Sequence, residues 1–197
     1  MTSPLLLSYI KQFDQIYYPK LAKRANTFRE VLTRLPDRPT IVETGMINDP
    51  GNWPGHGQST VLWESVVQNL GGYVFSVDIN PEAIAITRKL VGYDVNLVSG
   101  NSLNFLAAFK QPIDLLYLDS YDFVEGKEAR SARHHLFELM NAMKNLHPGS
   151  IVYVDDTVWY KDEPPYGKGA LICEYMKEMK AERITDGNGI QEAWVVK

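Results

Sequence analysis

From residue 40 to residue 156 the chain alternates between short apolar runs and longer segments of helical spacing, and this alternation restricts the fold more than any other feature. The runs are "TIVET" at 40, "YVFSVD" at 73, "DVNLVSG" at 94, "IDLLYLDS" at 113 and "SIVYVDD" at 150. Between them lie "STVLWESVVQNL", "PEAIAITRKLV", "SLNFLAAF" and a long helical pattern from Gly126 to Leu146. Strands that are apolar on both faces belong inside a parallel sheet whose crossover helices cover both sides. The chain end, "AERITDGNGIQEAWVVK", breaks the pattern. Two strand-like pieces flank Asp186-Gly187-Asn188-Gly189, which predicts an antiparallel hairpin at the sheet edge. At the other end Leu6, Ile10, Phe13, Ile16 and Tyr17 recur at helical spacing, Pro19 interrupts, and "LAKRANTFREVLTRL" resumes the pattern. The expectation is one domain over residues 1–197, with a helical extension at 1–38 and an α/β core at 39–197.

Open parallel sheets bind ligands outside the carboxyl ends of their strands. Those ends are Glu43 to Ser59, Asp78, Gly100 to Ser102, Asp119 to Asp122 and Asp155 to Thr157. A single Asp in such a place often caps a helix or forms a turn. Asp at three ends along one edge favours a site. The glycine-rich segment "ETGMINDPGNWPGHGQST", residues 43–60, comes close to a phosphate-binding loop, but Asn52 stands in place of its first glycine and Gln58 in place of its lysine. Gly55-His56-Gly57 also lacks the third glycine of a dinucleotide fingerprint, which weakens a nicotinamide oxidoreductase reading. Asp78, 21 residues after Gly57, can accept the hydroxyls of a ribose. Glu43 would repel a pyrophosphate, yet it can accept hydrogen bonds from an amino-acid ammonium.

Net charge is −4 and the pI near 5.6, so no broad basic footprint for nucleic acid or anionic membrane is expected. Cys173 is the only cysteine, which leaves no internal disulfide or thiolate cluster and fits a cytoplasmic setting. Its expected role is that of a small buried hydrophobe. "MTSPLLLSYIKQF" lacks the charged region and long apolar core of a signal peptide, and no run approaches the ~20 apolar residues of a membrane span. The carboxylates Asp119, Asp155 and Asp156 would lie at neighbouring strand ends, hard oxygen ligands suited to Mg²⁺ or another divalent cation. The competing role for Asp155 or Asp156 is a cap at "DDT".

In order and spacing, residues 40–160 resemble the class I S-adenosylmethionine-dependent methyltransferases, most closely the metal-assisted small-molecule O-methyltransferases of the catechol and macrocin types. "VETG" with "GQST" looks like the first motif, implying that Glu43, Gly45, Gly57 and Ser59 wrap the methionine part of the cofactor. "SVDINPEAI" is similar to the second, with Asp78 on the ribose and Ile79 beside the adenine. "SGNSLNFL" implies roles for Asn101 and Ser102 at the adenine edge, and "IDLLYLDSYD" looks like the fourth-strand motif, placing Asp119 near cofactor and metal. The implied fold is Rossmann-like, a mostly parallel seven-stranded sheet with helices on both faces, a C-terminal antiparallel hairpin and the N-terminal helical extension.

Two features depart from that family. Gly45 and Gly57 are twelve residues apart, whereas the family's compact form sets the two glycines much closer. The extra "MINDPGNWPGH", with Trp53 and His56, reads either as a substrate wall or lid or as a surface turn. Three residues after Asp119 the catechol type carries lysine and the macrocin type histidine, but this chain has Asp122. The base is then Asp122, one of His134, His135 and Lys168, or a hydroxyl acidified by metal. His134 and His135 fall in a helix whose expected core stripe is Ala132, Leu136, Leu139, Met140 and Met143. The expected function is methyl transfer from S-adenosylmethionine to a hydroxyl of a small polyol or sugar-like acceptor, assisted by Mg²⁺. The alternative is a non-catalytic module that binds a nucleoside or a partner.

Overall fold

The five apolar runs form β1 (Thr40–Thr44), β2 (Tyr73–Asp78), β3 (Val95–Ser99), β4 (Ile113–Leu118) and β5 (Leu146–Val154) in the computed structural model, which describes residues 3–55, 58–123, 126, 128–159, 165–185 and 190–197. The helices are α1 (Pro4–Ile16), α2 (Ala25–Leu32), α3 (Ser59–Leu70), α4 (Pro81–Leu90), α5 (Ser102–Ala108), α6 (Glu128–Ala142) and α7 (Ala170–Glu178). Two residues each form β6 (Thr157–Val158), β7 (Tyr166–Gly167) and β8 (Glu182–Arg183), and β9 spans Glu192–Val195. The main sheet runs β3-β2-β1-β4-β5-β9-β8. Its first five strands are parallel, and β9 and β8 close the edge antiparallel, as the chain end predicted. The turn signal at 186–189 lies outside the described residues. Strand order reverses between β1 and β4, so the ligand-binding crevice of this fold opens above those two strands.

Alternate residues of the central strands feed opposite cores, as the two-residue period of a strand requires. Leu115 and Tyr117 of β4, with Ile151 and Tyr153 of β5, pack beneath α1, α2 and α3. Leu116, Leu118, Val152 and Val154 pack beneath α5, α6 and α7, with Cys173 in the same layer. Burial pushes the Cys173 thiol up to about 12, so it behaves as the inert apolar group expected of it. Phe28, Trp63, Tyr117 and Tyr153 form an aromatic knot with ring centroids 4.8–6.4 Å apart. It fixes the N-terminal helices to the sheet, and emptying such a site, as in Trp63→Ala, costs about 3–5 kcal/mol.

Three local expectations need correction. β5 begins at Leu146, because Pro148 and Gly149, the latter at φ +96°, are absorbed where the register against β4 shifts. The core stripe of α6 is Ser131, Ala132, His135, Glu138, Leu139 and Ala142, one step round from the predicted face, and leaves Met140 exposed. Between β5 and the hairpin lie α7 and the β6–β7 pair, neither of which the sequence reading proposed. No described helix is long and apolar enough to cross a membrane.

Candidate active site

The ends of β1, β4 and β5 are laced together by their backbones. Asp119 N–H donates to Thr44 O at 2.9 Å, and Asp155 N–H donates to Leu118 O at 3.1 Å. Gly45 turns the chain away from β1 at φ +91°, and a Cβ there would lie 2.5 Å from Asp119 O, so only glycine fits. Glu43 is fully buried beneath this turn. It accepts from the hydroxyls of Ser76 and of Thr60, the latter at 2.6 Å, and thereby joins the start of α3 to β2. Among the described residues its Oε1 has no hydrogen-bond partner. Burial raises the Glu43 carboxyl to about 7 against the pull of the hydroxyls of Ser59, Ser76 and Thr60, with nearby Asp78 adding to the rise.

Asp78 closes β2 with both oxygens engaged, accepting from Met46 N–H at 2.8 Å and Asn80 N–H at 2.7 Å. The next residue, Ile79, is 70% exposed, an apolar side chain held in solvent beside a carboxylate. Asn101 caps α5 by accepting from Asn104 N–H at 3.2 Å. Ser102 is buried, with Oγ 3.3 Å from His134 Nε2. Behind it lies a residue the sequence reading did not single out. Glu138, buried in α6, accepts from Thr44 Oγ1 at 3.2 Å and Ser120 Oγ at 2.6 Å and lies 3.3 Å from His134 Nε2. Burial works against the Glu138 anion, but the bonds from His134, Ser102 and Ser120 and the proximity of His135 hold its carboxyl below the usual range.

The acidic ends of β4 and β5 carry their own counter-charges. Arg24, which follows α1 and is 4% exposed, donates through Nε to both oxygens of Asp155 at 3.2 and 3.1 Å. Its Nη2 reaches Asp156 at 3.3 Å and its Nη1 reaches Pro54 O at 2.8 Å. Tyr117 also donates to Asp155 at 2.9 Å. On the other side Lys168, 2% exposed, donates to Asp119 and pairs with Asp156 at 3.1 Å. Burial alone would lower the Lys168 ammonium, but Asp119, then Asp156 and Asp155, outweigh it and hold the group cationic. Asp156 sits at φ +43°, an uncommon backbone for a non-glycine residue that turns its carboxylate toward both cations.

A cavity of about 750 Å³ opens above this cluster, lined in part by Arg24, Met46, Asp119, Asp122, Asp156 and Lys168. Asp122 is exposed at its rim. His135 is buried with its Nδ1–H donating to Ser131 O at 2.8 Å, and burial lowers its imidazole to about 4, so it is neutral and does not line the cavity. The extra segment after Gly45 supplies Met46, Asn48 and Gly55 to the cavity wall. Trp53 turns away from it, 5.7 Å from the Tyr17 ring with the Lys20 ammonium over it. Gln58, in the place of a phosphate-loop lysine, ties the segment to itself by donating to Asp49 O at 3.1 Å and accepting from Gly51 N–H at 3.3 Å. Ser59 is buried at the first turn of α3, whereas His56 and Gly57 lie outside the described residues.

Asp119, Asp155 and Asp156 do converge, as expected of ligands for a divalent ion. A Mg²⁺ ion would need their oxygens at about 2.0–2.1 Å. Those oxygens are committed to Arg24, Lys168 and Tyr117, and among the described residues no group of three or more His, Cys, Asp or Glu is disposed to hold an ion. As arranged, the residues do not fit a divalent metal.

A parallel sheet in this order, closed by an antiparallel strand pair and carrying its polar cleft at the switch point, is the Rossmann-like fold of class I methyltransferases. Residues 54–157, just over half of the chain, match the methyltransferase domain family, and the chain belongs to that family. The O-methyltransferase ankF of Aspergillus thermomutatus is 28% identical over 110 residues, a match that covers 52% of this chain and 42% of that relative's length. The MycE methyltransferase of the mycinamycin biosynthetic pathway, solved with Mg and SAH, superposes with a TM-score of 0.60 at 13% identity, over 98% of this chain and 55% of its own. The SAH-bound Podospora anserina methyltransferase PaMTH1 gives 0.56 at 17% identity, over 99% and 88%. An rRNA methylase from Streptococcus thermophilus gives 0.55 at 13%, over 88% and 96%. At these identities the structural likenesses speak to fold alone.

Proposed function

We propose that this protein transfers a methyl group from S-adenosylmethionine to a hydroxyl of a small polyol or sugar-like acceptor. The observation that carries the reading is the division of one sheet edge into two halves. Over β1, β2 and β3 stand Glu43, Gly45, Asp78, the exposed Ile79, Asn101 and Ser102, and over β4 and β5 lies the charged cavity of about 750 Å³. The first half suits a nucleoside joined to an amino acid. In this reading Asp78 accepts from a ribose diol, Ile79 offers an apolar face for a base, and the buried Oε1 of Glu43, without a hydrogen-bond partner among the described residues, is an acceptor left over beneath the glycine turn. The second half has the size of a small-molecule site and a lining rich in hydrogen-bonding groups, as a polyol requires. Similarity to ankF, named an O-methyltransferase, supports oxygen as the acceptor atom.

When bound, S-adenosylmethionine supplies a methyl group on a sulfonium. The chain's part is to hold the acceptor oxygen in line and to take its proton. In this reading Asp122, which lines the cavity, is the group that takes that proton. Some solved proteins of this fold are rRNA methylases, but the net charge of −4 and the acidic lining of the cavity favour a small neutral acceptor over RNA. The test is transfer of a labelled methyl from S-adenosylmethionine to a panel of catechols, sugars and polyols. Labelled product that is lost in Asp122→Ala is the expected result. Binding of the cofactor with no transfer to any acceptor would leave the non-catalytic module as the better reading.

A further inference from the structure

We propose that Lys168 stands in for a divalent ion, so that the three-carboxylate cluster excludes metal and the site works without one. This rests on the methyltransferase reading for its consequence in catalysis, but not for the exclusion itself. The first observation is how the lysine is delivered. Gly167 lies at φ +101°, and a Cβ on it would fall 2.0 Å from Asp156 O, while a Cβ on Gly169 would fall 2.4 Å from Thr157 Oγ1. Two glycines therefore let β7 and the start of α7 press directly onto the turn after β5 and the start of β6. Two hydrogen bonds fasten it there, Lys168 N–H to Asp156 O and Gly169 N–H to Thr157 Oγ1, both 3.0 Å. The side chain between them has little choice but to enter the carboxylate cluster.

The second observation is what the lysine does there. A lysine is almost never 2% exposed unless it is paired, and this one is paired twice, to Asp119 of β4 and to Asp156 after β5. These are two of the three carboxylates that would have to hold an ion. The third, Asp155, is taken by the Nε–H of Arg24 and by Tyr117. Two fixed cations thus face three carboxylates, where a bare cluster would demand an outside ion to offset its repulsion. An ammonium has three donors. One donates to Asp119 while the ammonium pairs with Asp156 at 3.1 Å, and Lys168 lines the cavity, which sets its charge beside the acceptor of the proposed reaction. Unlike a metal, this cation is covalently placed and needs no loading.

The probe is Mn²⁺ alone, titrated without cofactor or acceptor and followed by electron paramagnetic resonance. Wild-type protein should show no Mn²⁺ binding that depends on Asp119. Lys168→Ala and Lys168→Gln should each bind Mn²⁺ at least about tenfold more tightly than wild type, and Asp119→Asn should abolish that gain. The glutamine variant keeps the side chain's bulk in case the alanine variant does not fold, and circular dichroism establishes which variants are folded. Wild-type binding that is lost in Asp119→Asn would overturn the proposal. So would a folded Lys168 variant that gains no Mn²⁺ affinity, because the ammonium would then not be what keeps ions out. On any acceptor that turns over, a chelator should leave the rate unchanged, and a rate lost in chelator and restored by Mg²⁺ would also refute it. Absence of turnover on every acceptor would count against the proposed function and leave the Mn²⁺ result to decide this one.

Discussion

Arg24→Met tests whether the N-terminal helices are part of the site or only a cover for the sheet. The substitution strips Asp155, 2% exposed, of the Nε–H that both its oxygens share and leaves it the hydroxyl of Tyr117 and the N–H of Asp156. Removing one partner of a buried pair costs about 3–5 kcal/mol, chiefly because the other charge stays behind uncompensated. The two surviving hydrogen bonds argue for the lower end of that range. The bond to Pro54 O adds about 0.5–1.5 kcal/mol, and the contact with the half-exposed Asp156 adds little. The expected loss is about 3.5–4.5 kcal/mol. At about 2–4 °C per kcal/mol for a domain of this size, the melting temperature should fall by roughly 7–18 °C. Urea unfolding monitored by tryptophan fluorescence measures the loss directly. Adding Asp155→Asn to Arg24→Met should recover part of it, since no buried charge is then stranded. A loss below about 1 kcal/mol, the value of an exposed ion pair, would refute the reasoning.

Glu43 makes stability depend on pH in a direction set by its raised carboxyl. Between its ordinary value of 4.5 and about 7 the folded chain keeps a proton that the unfolded chain releases, so stability falls as pH rises through that window and levels off above it. Glu43→Gln removes the effect, and its stability relative to wild type should improve by roughly 3 kcal/mol between about pH 4 and pH 8. A flat difference across unfolding curves at those two pH values would contradict this. Asp78→Ala should weaken S-adenosylhomocysteine binding by about 1.5–3 kcal/mol, or roughly 10- to 150-fold, as read by calorimetry. Gly45→Ala drives a Cβ to 2.5 Å from Asp119 O at φ +91° and should destabilise by about 1–3 kcal/mol in urea, whereas an unchanged midpoint would mean the turn relaxes freely.

The parallel strands were legible because each is a continuous apolar run, and the edge hairpin because its strands flank a turn signal. α7 was not, since "ALICEYMKE" spans nine residues and follows a stretch broken by Pro164, Pro165, Gly167 and Gly169. The strand-end carboxylates could be found in the sequence, but not what neutralises them. An acidic cluster built for a metal and one built for arginine and lysine look alike from the acidic side. Arg24 meets Asp155 across 131 residues, and no local spacing encodes such a contact. Glu138 was hidden for a related reason. Among Glu128, Arg130 and Arg133 it reads as one more charge on a solvated helix face, and only the approach of Thr44 and Ser120 shows that the helix turns it inward.

The account stands most directly on whether the first half of the cleft holds the cofactor. Isothermal titration of the wild-type chain with S-adenosylhomocysteine, and separately with NAD⁺, measures this without any knowledge of the acceptor. One molecule of S-adenosylhomocysteine per chain, bound at about −7 to −8 kcal/mol and far ahead of NAD⁺, is the predicted result. No S-adenosylhomocysteine binding by folded protein, or tighter binding of NAD⁺, would contradict it.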